Sequence, residues 1–249
     1  MNFVEDCLNK VKKDCYKFIK TQETYSDKFK NKDKMLKDYL VPMSFWIAKK
    51  TNIKKPYIVG LTGGQGTGKT TISSILMIIL KKYFKLKVFK ISIDDIYKTK
   101  KDRIKLSKKI HPLLLTRGVP GTHDISYMSS FIKKVNSRKF RSIILPKFDK
   151  AIDDRFSKNN WYKVNRKPDV IIFEGWCVGA RPESLKTLKK SVNMMEKNDD
   201  SKLIWRKYVN TQLKKGYKKL YSKLDCLLFL RAENFSLLQK WRVIQEKKL

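Results

Sequence analysis

Residues Tyr57 to Thr71 read YIVGLTGGQGTGKTT. The β-branched and aromatic run ending at Leu61 predicts a strand, and Ile72, Ile75, Leu76, Ile79 and Leu80 recur at helical spacing just beyond Lys69. Between strand and helix, Gly63, Gly68, Lys69 and Thr70 fill the G-x-x-x-x-G-K-S/T spacing. Glycines there let backbone N–H groups wrap phosphate oxygens, and the helix N-terminus adds a positive dipole. The lysine reaches a nucleotide's terminal phosphates and the threonine hydroxyl its magnesium. The expected nucleotide-binding set is therefore Gly63, Gly64, Gln65, Gly66, Thr67, Gly68, Lys69, Thr70 and Thr71.

The 249 residues, 41% of them apolar, suffice to bury a full core and fit an α/β domain with a small appended part. No window approaches the apolar length of a membrane span, and the N-terminus mixes charges too early for a signal peptide, so a cytoplasmic protein with no membrane partner is expected. Cys7, Cys15, Cys177 and Cys226 lack C-x-x-C spacing, which argues against a zinc site or a disulfide framework. The formal net charge of +35 would by itself suggest a nucleic-acid partner. Its excess is nearly all lysine, scattered in twos and threes beside abundant Ile, Asn, Tyr and Phe, which reads as codon bias. Arginine clusters interleaved with aromatics, the pattern of a nucleic-acid surface, are absent.

Residues 3–20 and 33–50 read as two amphipathic helices, giving an N-terminal helical extension over 1–50 ahead of a main domain over 51–249. The run KVFKISI (87–93) predicts a second strand ending at Asp94 and Asp95. In open parallel sheets ligands sit beyond the strands' carboxyl ends, so Asp94 is a candidate catalytic base or magnesium ligand; a plain helix cap is the alternative, and Asp95 suits that role. Residues 98–115 show no clean periodicity. In RGVPGTHD (117–124), Arg117 and His123 could grip a small anionic or hydroxylated molecule, or the segment is a capped turn. In PKFDKAIDDR (146–155), Asp149, Lys150 and Arg155 form either an anion-gripping loop or a solvated surface loop. The strand DVIIF (169–173) closes on Glu174, a second candidate for magnesium or for supporting the base. An irregular excursion (176–200), a helix (203–220), a strand (225–230) and a basic helix from 233 follow. That last helix is either a lid bringing Arg242 to the phosphates or a solvated face.

Together, GLTGGQGTGKTT, ISIDDIY, RGVPGTHD, LPKFDKAIDDR, IIFEGWCVGARP, WRKYVN and WRVIQEKKL resemble the D-glycerate 3-kinase family, kin of pantothenate kinase, uridine kinase and phosphoribulokinase. The resemblance implies an α/β P-loop kinase fold, a parallel sheet flanked by helices. It implies transfer of the γ-phosphate of ATP to a small anionic hydroxy acid, with Lys69 and Thr70 at the phosphates and Mg2+, Asp94 as base and Glu174 beside the metal. Arg117, His123, Asp149, Lys150 and Arg155 fall where the acceptor would be held. Family members continue past WRVIQEKKL through another helix and strand, whereas this sequence stops at Leu249, so an edge strand is expected to be missing. Alternatives within the class are kinases of pantothenate or a nucleoside; outside it, an ATP-modulated nucleic-acid-binding protein or an idle ATP-binding protein.

Overall fold

The computed structural model describes residues 3–23, 25, 28–52, 54–137 and 139–246, with the side chains of 235, 240, 242 and 244–246 outside the description. Its strands are β1 (Tyr57–Gly63), β2 (Val88–Ser92), β3 (Ile143–Leu145), β4 (Phe148–Asp149), β5 (Asp154–Arg155), β6 (Tyr162–Val164), β7 (Val170–Glu174) and β8 (Cys226–Leu230). The central sheet runs β2-β7-β1-β8, with β1 parallel to both neighbours. Both β1 and β7 are near-continuous apolar runs because side chains on both faces are buried, the usual state of a parallel strand covered by helices.

The chain divides into two compact units: Met1–Ile91 with Arg166–Trp176 and Asp225–Leu249, and Ser92–Asn165 with Cys177–Leu224. This cuts the chain differently from an extension over 1–50 and a domain over 51–249. The helix Phe3–Gln22 turns Cys7, Leu8, Val11, Cys15 and Ile19 inward, packs on the helix Lys69–Lys82, and shares one core with the sheet. Helical structure also runs from Lys32 to Lys50, but its middle, Met35–Leu40, is a π-turn. Pro42 has no N–H to give residue 38, and the Val41 N–H bonds Leu36 O, five residues back, which absorbs the mismatch.

In the second unit, Met128, Phe131, Ile132 and Val135 form the buried face of the helix Ile125–Val135. The expected helix over 203–220 is interrupted by a π-turn, Leu213–Tyr217, where Gly216 lies against Ile125; a Cβ on it would stand 2.4 Å from Ile125 Cδ1. Residues 98–115, without periodicity in sequence, form the helix Lys100–Lys109 and a 3-10 turn, Pro112–Leu115. The helix has only two apolar residues, Ile104 and Leu106, and buries only Arg103, so no apolar stripe marks it. It starts where Thr99 Oγ1 accepts from the Asp102 N–H at 3.1 Å. The excursion after 176 holds the short helices Leu185–Lys189 and Met194–Asp199. The following helix, Ile204–Gln212, is capped by buried Asp200, which accepts from the Trp205 N–H and from Arg206 Nε, each at 2.8 Å. No described helix is long and apolar enough to cross a membrane.

Ile79 lies fully inside the core joining the N-terminal helices to the sheet. Ile79→Ala should cost about 2–5 kcal/mol in urea unfolding. Ile152→Ala, at a residue 60% exposed, should change stability by less than about 0.5 kcal/mol.

Candidate functional site

The phosphate-loop residues belong to the first unit. β1 delivers the chain to Gly63, whose backbone lies so close to β8 that a Cβ would stand 2.8 Å from Leu230 O. Gly64 is similarly covered by Leu238 of the helix Phe235–Glu246, 2.7 Å from a Cβ placed there. Gly68 takes φ 80° as the N-cap of Lys69–Lys82, a left-handed turn that glycine adopts without strain. Thr67 Oγ1 donates to Gly64 O at 2.8 Å, tightening the loop around exposed Gln65 and left-handed Gly66. Lys69 Nζ arches back over the loop to Gly63 O at 3.0 Å and Gly64 O at 2.7 Å.

Thr70 meets Glu174. The register pairs Leu61 with Glu174, which brings the carboxylate at the end of β7 beside the loop helix. Thr70 Oγ1 donates to it at 3.2 Å (Oε1) and 3.4 Å (Oε2). A hydroxyl and a buried carboxylate side by side are a hard-oxygen pair of the kind magnesium accepts together with phosphate and water. Among the described residues no three His, Cys, Asp or Glu side chains cluster as a metal cage. Sequence reasoning missed the support beneath Thr70. Its carbonyl accepts from Ser73 Oγ (3.0 Å) and Ser74 Oγ (2.7 Å), and Lys90 of β2 donates to Ser74 Oγ at 2.7 Å. Serines within an apolar helical stripe carry no signal of such a chain. Thr71 is buried, and the Arg242 side chain lies outside the described residues.

The acceptor candidates all belong to the second unit. The 3-10 turn Ile93–Ile96 is held by a capping box: Ser92 Oγ accepts from the Asp94 N–H (3.2 Å) and Asp95 Oδ2 from the Ser92 N–H (3.1 Å). Asp95 is thereby occupied structurally. Asp94 instead accepts from Lys150 Nζ at 2.8 Å. Burial pushes its pKa up, but the Lys150 ammonium beside it outweighs burial and holds it below 3.8.

The other cations are committed to protein groups. Arg117 pairs with Asp153 Oδ1. Arg103, 1% exposed, takes Asp153 Oδ2 at 2.9 Å and Asp153 O at 2.6 Å, and also donates to Leu115 O at 2.7 Å. Arg103 is the second group that sequence reasoning missed; in KKDRIKLSKK it reads as one more solvated charge. Arg155 donates to Tyr97 O at 2.8 Å and Asp124 Oδ2 at 3.3 Å, with Tyr127 under its guanidinium. Asp149 shapes the β4–β5 turn by accepting from the Ala151 N–H at 2.9 Å.

His123 is buried, stacked on Tyr97 at 4.4 Å. Tyr217 Oη accepts from the Gly121 N–H at 2.9 Å and shares a hydrogen bond of 2.7 Å with His123 Nδ1. His123 Nε2 is buried and has no hydrogen-bond partner among the described residues. Burial pushes the imidazole pKa down to about 3.

No protein-family model matches the chain. The solved structure of a D-glycerate 3-kinase from Cryptococcus neoformans superposes with a TM-score of 0.67 at 27% identity, covering 85% of this chain and 77% of that one. The uncharacterized kinase mug58 of Schizosaccharomyces pombe is 32% identical over 203 residues, 78% of this chain and 72% of its own length. The chain belongs to the D-glycerate 3-kinase family. The chloroplastic D-glycerate 3-kinase of Arabidopsis thaliana is 26% identical over 203 residues, of which this chain spans only 41% of the length. In this family of P-loop kinases the parallel sheet and flanking helices are the expected fold, and the protein is a small-molecule kinase.

Two outcomes follow from the ionisable groups of the second unit. Asp153→Ala strands the buried Arg103 guanidinium and should cost about 3 kcal/mol of stability. For Asp153 burial raises the pKa, but the hydrogen bonds from Arg103 and Arg117 prevail and lower it below 3.8. Its contribution is thus complete above the unfolded carboxyl pKa and is lost as pH falls through the lower folded value. His123 has the opposite arrangement. Below about pH 6.5 the unfolded ring takes up a proton that the folded ring refuses, so this group costs stability progressively as pH falls toward 3. Its imidazole NMR signals should stay constant from pH 8 to 5; a midpoint near 6.5 would show that the ring is reached by water.

Proposed function

We propose that the protein uses ATP and magnesium to phosphorylate a hydroxyl of a small hydroxy acid, D-glycerate. The observation that carries this reading is the contact between Asp94 and Lys150, a carboxylate kept ionised beside a solvent-exposed ammonium. A hydroxy-acid acceptor needs both: an acceptor for its hydroxyl proton and a cation for its carboxylate. The names of the Cryptococcus and Arabidopsis relatives support the choice of acid.

On this reading the loop backbone and Lys69 hold the nucleotide's phosphates, and Thr70 with Glu174 holds magnesium. Bound magnesium supplies positive charge against the phosphate oxygens. Lys69 turns its ammonium from the Gly63 and Gly64 carbonyls to the phosphates and absorbs charge as the bond to the departing ADP lengthens. Asp94 takes the acceptor's proton late, as the hydroxyl oxygen bonds to phosphorus, and the turn capped by Ser92 keeps its backbone in place. Ser73, Ser74 and Lys90 fix Thr70 at its backbone.

The test is ADP release with ATP and magnesium across D-glycerate, L-glycerate, pantothenate and uridine. D-glycerate should give the highest kcat/KM, with a phosphoglycerate as product, and Lys69→Ala should lower the rate by about 10^3. Turnover confined to pantothenate or uridine would overturn the acceptor assignment.

A further inference from the structure

We propose that Lys150 is an exchangeable counter-ion of Asp94: the acceptor's carboxylate takes over its ammonium, and only then is Asp94 Oδ2 free to receive the hydroxyl proton. This rests on the reading of Asp94 as the base, and it adds a rule for which acceptors are used. A molecule without a carboxylate leaves the pair closed.

Three features of the pair carry the inference. The ammonium and Asp94 Oδ2 are 2.8 Å apart, with side-chain exposures of 63% for lysine and 28% for aspartate. The lysine is the exposed partner, so its ammonium can turn from one carboxylate to another without leaving water, while the more buried Asp94 becomes the stronger proton acceptor once the cation moves away. The exchange also conserves charge and hydrogen bonds, because Lys150 swaps one N–H···O bond for another. Second, Asp94 does not lose its aim when Lys150 leaves. Its backbone stays fixed in the capped turn Ile93–Ile96, where the Asp94 N–H bonds Ser92 Oγ at 3.2 Å. Third, the turn carrying Lys150 is anchored. Asp149 closes it from one side, and Asp153, at φ 56°, grips both Arg103 and Arg117 from the other. The backbone of the turn is held while the lysine side chain is exposed to solvent.

Arg117 and Arg155 suit this task less well. Arg155 is one-tenth exposed and already bonds Tyr97 O and Asp124. Arg117 shares Asp153 with buried Arg103, so withdrawing it would unbalance a buried charge. Neither of them pairs with the base.

Steady-state kinetics with D-glycerate and with glycerol, its uncharged counterpart, test the exchange in wild type, Lys150→Met and Lys150→Arg. The wild type should prefer D-glycerate by at least about 100-fold in kcat/KM. Lys150→Met should lose most of that preference from both sides, glycerate falling about 100-fold and glycerol holding level or rising because Asp94 is no longer engaged. Lys150→Arg should recover part of the preference. ATP affinity should be the same in all three, which separates the effect from misfolding. If Lys150→Met phosphorylates glycerate with the wild-type preference, or if both acceptors fall equally, the exchange is wrong while the kinase reading stands. A wild type that phosphorylates neither acceptor overturns both.

Discussion

β1 is hydrogen-bonded along both edges, to β7 and β8, and buried along its length, so the chain can leave it only beyond the sheet's end. It does so at Gly63, where contact with the Leu230 carbonyl leaves no room for a side chain. The groups of the first unit are placed by that exit. The loop turns through left-handed Gly66 and Gly68, Lys69 folds back over it, and the helix begun at Lys69 presents Thr70 to the end of β7. The register of β7 on β1 then decides that the residue meeting Thr70 is Glu174 and not one of the apolar residues before it. A shift of one residue would send that carboxylate to the opposite face of the sheet.

The second unit distributes charge by a different rule. It holds several cations, and burial sorts them. Arg103 is deepest and is satisfied by three carbonyls and a carboxylate; Arg117 and Arg155 are partly buried and paired; Lys150 is exposed and rests on Asp94. Desolvation makes the deep guanidinium groups expensive to release, whereas Lys150 can leave its partner and stay in water. The cations are therefore divided by depth, with the exposed one left on Asp94, the proposed base.

The strand-loop-helix at 57–82 was legible in the sequence because its apolar runs and glycine spacing each have a single physical reading. The ends of β2 and β7 were legible for the same reason, since an apolar run that stops at an acid marks a sheet edge. The helix Lys100–Lys109 was not, because a helix that buries one arginine leaves no stripe. The hairpin of β4 and β5 was not either, because strands of two residues are too short to show a period. Asp94 and Lys150 are 56 positions apart, and nothing in sequence says which of several cations a carboxylate will find. The π-turns at 35–40 and 213–217 arise from Pro42 and from the approach of Gly216 to Ile125, where tertiary detail overrides helix propensity.

In the proposed function one unit holds the nucleotide and the other carries the base Asp94. Asp94→Asn tests that separation most directly, with ATP affinity and turnover measured on the same sample. The account expects ATP to bind within about twofold of wild type while D-glycerate turnover falls by about 10^2 to 10^4. Turnover close to wild type, or loss of ATP binding in step with turnover, would contradict it.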